Sequence, residues 1–222
     1  MTEIGVSQQS RGGGRGNAGE LRQVAALFCR TDSHYKQIAG VDVYDVDRDA
    51  RTFDGPHPVV AHPPCRAWGR LRKFAKPRPD ERNLARLAVA LVREFGGVLE
   101  HPEGSTLWQA QRLPPPGERD AMGGWTLGIT QHWWGHRATK ATLLYVVGCV
   151  PADIPPFPEL RLGEGTHVIA MDKRPGRGVG GQRLRKGMPG WRPEVSKPER
   201  EHTPPALAEW LVELARRCRV PS

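Results

Sequence analysis

The chain has 222 residues, enough for one sizeable hydrophobic core, and carries 33 Lys and Arg against 24 Asp and Glu, a formal charge of +9. No stretch approaches the roughly 20 apolar residues of a membrane span, and the polar, glycine-rich start is unlike a secretory leader. Cysteines at 29, 65, 149 and 218 form no CxxC or disulfide framework, so a reducing cytoplasm is the expected location. The cation excess makes nucleic acid the first partner class to expect, because phosphates bind with release of counterions.

Residues 1–20, with QQSRGGGRGNAGE, offer almost nothing to bury and are expected to be a disordered tail ahead of one α/β domain over 21–222. RQVAALF predicts the first strand. GVDVYDV predicts a second, and HPVVAH a third, ended by prolines that cannot continue a ladder. After KPRPD, Asp80 is placed to cap a helix whose Leu84, Leu87, Ala88, Leu91, Val92 and Phe95 recur at spacings of three and four. GGVLEHP ends that helix on glycine and starts a short strand with Glu100 at its far end.

Helix followed by apolar strand predicts βα alternation in a mostly parallel central sheet flanked by helices. A proline-rich loop then leads to ATLLYVVG, another strand, and THVIA is a further strand candidate. Residues 172–202 read as an irregular basic segment, with nine Lys and Arg against four acidic residues. TPPALAEWLVELARRC predicts a closing helix: Thr203 caps it, prolines fill its first turn, and Leu207, Trp210, Leu211 and Leu214 form its apolar face.

Ligands of open α/β sheets bind beyond the carboxyl ends of strands. Asp45 and Asp47, the HPPC turn with Cys65, and Glu100 all fall at such ends, so one active site is expected there. A thiolate adds to an electron-poor ring carbon, a carboxyl group holds the adjacent ring nitrogen, and a cation steadies an oxygen. Cys65, Glu100 and the basic GHRATKAT segment therefore suit covalent chemistry on a pyrimidine.

In these motifs the chain resembles the DNA cytosine-5 methyltransferases, most closely the short, divergent forms common in phages and prophages. AHPPC matches the family's Pro-Cys nucleophile motif, and LEHP its Glu-Asn-Val or Glu-Asn-Pro motif. GHRATKAT matches a Gly-x-x-x-x-Lys-x-Thr pattern, and KPEREHTPPALAEWL a closing proline-initiated helix. The resemblance runs over about 22–215 in the family's order. It implies a Rossmann-like methyltransferase fold without a large target-recognition domain, acting in a bacterial host cytoplasm.

It also implies that Cys65 attacks carbon 6 of a flipped cytosine while Glu100 holds ring nitrogen 3. Arg137 and Lys140 would stand in the basic motif. S-adenosylmethionine would donate the methyl group, with Phe28, Asp45 and Asp47 as its contacts. Arg66, Arg70, Arg72 and Lys73 would line a loop closing over DNA, and Arg183, Arg185 and Lys186 would add DNA contacts from the later basic segment.

Where the family carries Phe-x-Gly-x-Gly, this chain reads LFCRTDSHYKQI without a glycine, and His101 replaces the usual Asn. Two alternatives stay open: a cofactor-free DNA- or base-binding protein on the same fold, and a pyrimidine-modifying enzyme with a different donor. His62, Cys65, His101, His132 and His136 include HxxC and HxxxH spacings. No second cysteine completes a zinc-deaminase pattern, and no metal site is expected.

Overall fold

The computed structural model describes residues 21–70, 72–161, 163–169 and 184–219. Its strands are β1 (Val24–Leu27), β2 (Val41–Tyr44), β3 (Val59–Ala61), β4 (Gly97–Pro102), β5 (Trp125–Thr130) and β6 (Ala141–Val147). They form one sheet in the order β2-β1-β3-β4-β6-β5. β1 pairs in parallel with β2 and β3, and β3 with β4. β6 runs antiparallel to both β4 and β5.

The sheet is therefore mixed, which corrects the mostly parallel sheet predicted from the sequence. The cause is β5, whose WTLGIT follows two glycines, contains a third and does not read as a strand. The connection over 131–140 turns the chain back, so β6 returns beside β5 and inserts between it and β4.

Alternation along the strands divides the core. Ala25, Leu27, Val59, Ala61, Leu99, Tyr145 and Val147 pack with α1 (Glu81–Phe95) and α2 (Leu107–Ala110). Val24, Ala26, Val60, Val98, Leu144 and Val146 pack on the other face against α4 (Pro205–Arg217). The central strands are thus buried on both sides, which is why their sequences read as unbroken apolar runs. Leu207, Trp210, Leu211 and Leu214 of α4 are all buried, as their spacing predicts.

Several local expectations change. Asp80 has a left-handed backbone, φ 68°, and its side chain caps no α1 amide. It instead accepts from the Asn83 side chain at 2.8 Å and pairs with Arg51. Thr203 is not the cap of α4, which begins at Pro205 behind Pro204. Among its described residues, THVIA contributes only isolated bridges at His167 and Val168. The basic segment holds a short helix, α3 (Lys197–Glu201), whose cap Ser196 accepts from the Glu199 amide. The N-terminal tail and residues 172–183 lie outside the described residues. Among the described residues, no helix is long and apolar enough to cross a membrane.

Candidate functional site

The chain leaves β1 for β2 on one side and returns to β3 on the other, so strand order reverses beside β1. The crevice at such a reversal is where open α/β sheets bind ligands. His62 extends β3 by one residue, its amide donating to the Leu27 carbonyl at 3.0 Å. Glu100 lies beside it in register on β4, since Ala61 pairs with Leu99.

The side chains of His62 and Glu100 point to the α4 face and meet there. His62 Nδ1 lies 3.1 Å from Glu100 Oε2, and Tyr35 Oη lies 2.7 Å from His62 Nε2. Gln131 Nε2 donates to Glu100 Oε1 at 2.9 Å and to Thr142 Oγ1 at 3.2 Å. Thr142 in turn donates to the Lys140 carbonyl.

This chain has a consistent direction. Burial pushes the Tyr35 phenol well above its usual range, so it stays protonated and donates to Nε2. His62 then donates through Nδ1, leaving both oxygens of Glu100 as acceptors. Burial raises the Glu100 carboxyl, but the His62 hydrogen bond and the Lys140 charge outweigh it and leave it at about 2. Glu100 is a fixed, ionised acceptor.

Cys65 sits just beyond, on a turn whose geometry is set by packing. Its carbonyl accepts from the Trp68 and Gly69 amides at 3.0 and 2.7 Å. Trp68 is fully buried against α1, and its own carbonyl accepts from the amide and hydroxyl of Thr106. As a residue Cys65 is exposed. Crowding by the surrounding protein and the Glu100 charge push its thiol up, while the Lys140 charge pulls it down. Cys65, Glu100 and Lys140 thus share one electrostatic neighbourhood.

Other expected residues have different partners or stand exposed. Arg137 is ion-paired with Glu199 of α3. Arg66 is held by Glu81 at the start of α1. Arg70, Arg72 and Lys73 are exposed on the segment after the Cys65 turn, and Arg185 and Lys186 on an exposed turn. Arg183 lies outside the described residues. Phe28 leaves β1 with a left-handed backbone, φ 62°, a strained geometry for an aromatic residue. Asp45 Oδ1 accepts from the Asp47 and Arg48 amides, and its Oδ2 pairs with Lys36 at 2.6 Å. Asp47 is exposed.

Neither a family model nor a curated protein matches this chain. Among the described residues, no cluster of His, Cys, Asp and Glu could hold a metal.

Sequence reasoning missed Tyr35, Gln131 and Thr142, and it noted His62 only for its HxxC spacing, not as the partner of Glu100. Both nitrogens of His62 are occupied by Tyr35 and Glu100, which leaves neither for the thiol. Gln131 had no visible signal, because β5, which delivers it, does not read as a strand. Tyr35 had none, because its position depends on how the 28–40 crossover folds over β3.

Proposed function

We propose that this protein is a DNA cytosine-5 methyltransferase-like protein in which Cys65 adds to carbon 6 of an unstacked cytosine held by Glu100. The observation that carries the reading is Cys65, an exposed residue whose thiol lies within the field of a buried, ionised Glu100 and of Lys140, at the carboxyl edge of the sheet. The strand reversal beside β1 supports the Rossmann-like methyltransferase fold that the motifs imply.

An ionised carboxylate accepts and does not donate, so Glu100 suits the 4-amino group and a proton already on ring nitrogen 3. Such a base neutralises the charge that keeps Cys65 a thiol, and docking thereby favours the thiolate. Sulfur then bonds to carbon 6, the carbon 5–carbon 6 electron pair shifts into the ring, and the thiol proton leaves to solvent. Lys140 stabilises the thiolate until its charge is cancelled by that of the protonated ring.

The residues expected to hold S-adenosylmethionine do not form a cradle for it. Both Asp45 oxygens are occupied, Asp47 is exposed, and no glycine between Phe28 and Ala39 lets the backbone approach a ligand. No methyl-transfer step is derived from this chain. The same observation favours a second reading, a base-binding protein on this fold that acts without that donor.

A duplex bearing 2-pyrimidinone in place of cytosine tests both readings, since lacking the 4-amino group makes carbon 6 more electrophilic. The covalent reading predicts a protein–DNA adduct by denaturing gel and mass spectrometry. It should be absent in Cys65→Ala and form about 10²-fold more slowly in Glu100→Gln. DNA retention with no adduct, unchanged in Cys65→Ala, would overturn that reading in favour of the binding protein.

A further inference from the structure

Phe74 is 86% exposed, the most exposed large hydrophobic side chain among the described residues. It ends the short 3-10 turn Arg72–Phe74, in the segment leading away from Cys65. Residues 66–86 carry eight Lys and Arg against two acidic residues. Both carboxylates are already neutralised, Asp80 by Arg51 and Glu81 by Arg66. Among the described residues, no carboxylate comes within 4.0 Å of Arg70, Arg72, Lys73, Lys76, Arg82 or Arg86.

The Arg82 and Arg86 guanidinium groups lie over the Trp68 ring, at 4.4 and 5.8 Å from its centroid. Arg70 packs beside Gly104, in the turn that follows β4, so the segment borders the end of the strand that carries Glu100.

An aromatic face left in water costs free energy unless a partner covers it. An apolar protein partner would have to strip water from the cations around it, an uncompensated penalty. A DNA strand supplies both halves of the match, with phosphates for the cations and a base face for the ring.

We propose that Phe74 is a stacking surface for an unpaired nucleobase of DNA whose phosphates are held by Arg70, Arg72, Lys73 and Lys76. The inference rests on the DNA reading above and goes beyond it by naming the feature recognised, a base already out of its stack. It assigns the segment beyond Cys65 the task of favouring opened DNA over perfect duplex.

Fluorescence anisotropy with three labelled DNAs tests this: a single strand, a duplex with one abasic site, and the perfect duplex. Wild type should bind the first two more tightly than the third. Phe74→Ala should weaken the first two by about 5- to 150-fold and leave the perfect duplex within twofold. Phe74→Trp should restore the preference. Lys73→Gln with Lys76→Gln should weaken all three DNAs and flatten the dependence on salt.

Equal binding of all three DNAs by wild type and Phe74→Ala would overturn the stacking role while leaving DNA binding in place. No salt-dependent binding of any DNA would remove the DNA reading itself and point to a protein partner for this surface. Because Phe74 lies outside the core, a thermal melt matching wild type confirms that the variant is folded.

Discussion

At the scale of single residues, His101 is the most costly side chain near the site. It is 0% exposed, packs near Trp108, and neither ring nitrogen has a hydrogen-bond partner. Burial lowers its pKa from 6.5 to about 4, with the Glu100 charge opposing. The folded protein therefore binds this proton less readily than the unfolded chain, so stability falls as pH drops from about 6.5 to about 4. The loss approaches about 3 kcal/mol at the lower end, taking 1.36 kcal/mol per pKa unit.

Glu100 acts in a lower window, because its lowered pKa contributes stability that is lost only between about 4.5 and about 2. Urea midpoints between pH 7 and 4 should therefore decline in wild type. The decline should be shallower in His101→Asn. Equal slopes would show that His101 does not carry this dependence. β4 runs on to Pro102, so Glu100 lies inside it and not at its end, and only its place on a strand could be read from LEHP. Its partners could not, since Tyr35, His62, Gln131 and Thr142 come from separate segments that meet only in the folded sheet.

At the scale of elements, the junction of α1 and β4 depends on a glycine. Gly97 has φ +122°, and an added Cβ would collide with the Val59 carbonyl oxygen and come within 2.6 Å of its amide nitrogen. Those atoms belong to the β3 backbone, which cannot move aside without breaking the ladder that places His62 beside Glu100. Gly97→Ala should lower stability by at least about 2 kcal/mol in a urea titration. It should also suppress adduct formation by Cys65 even where the protein remains folded. The glycines of GGVLEHP were visible as a helix stop, yet the need for Gly97 at a backbone crossing is a tertiary fact.

The helices α1 and α4 were legible because a 3.6-residue period survives any arrangement of neighbours. Their caps were not, since Asp80 and Thr203 are good cap residues whose side chains meet other partners or stand one position too early. β5 stayed hidden because its glycines weaken the strand signal, and pairing with β6 supplies what propensity does not.

At the scale of the whole molecule, the two hydrophobic layers share one sheet. Damage on one face therefore reaches the other. Leu211, fully buried on α4, packs opposite the layer that holds Trp68 and α1. Leu211→Ala should cost about 2–5 kcal/mol. Its unfolding should remain a single transition, with amide protection in β1 and β3 lost together with that of α4. Separate transitions for the two faces would show that they fold independently.

The sequence by itself determined which segments can be strands and helices, that Cys65 follows a strand and Glu100 belongs to one, and that the chain carries a large excess of cations. These are local properties, set by periodicity, by proline and glycine, and by composition. The tertiary structure alone decided that Glu100 is ionised between His62 and Gln131, and that Arg137 answers to Glu199. It also decided that Asp45 is taken by Lys36, and that Phe74 stands in water among unpaired cations. The lateral order of the strands and the face each side chain takes bring together groups distant in the chain, and no local pattern encodes that meeting.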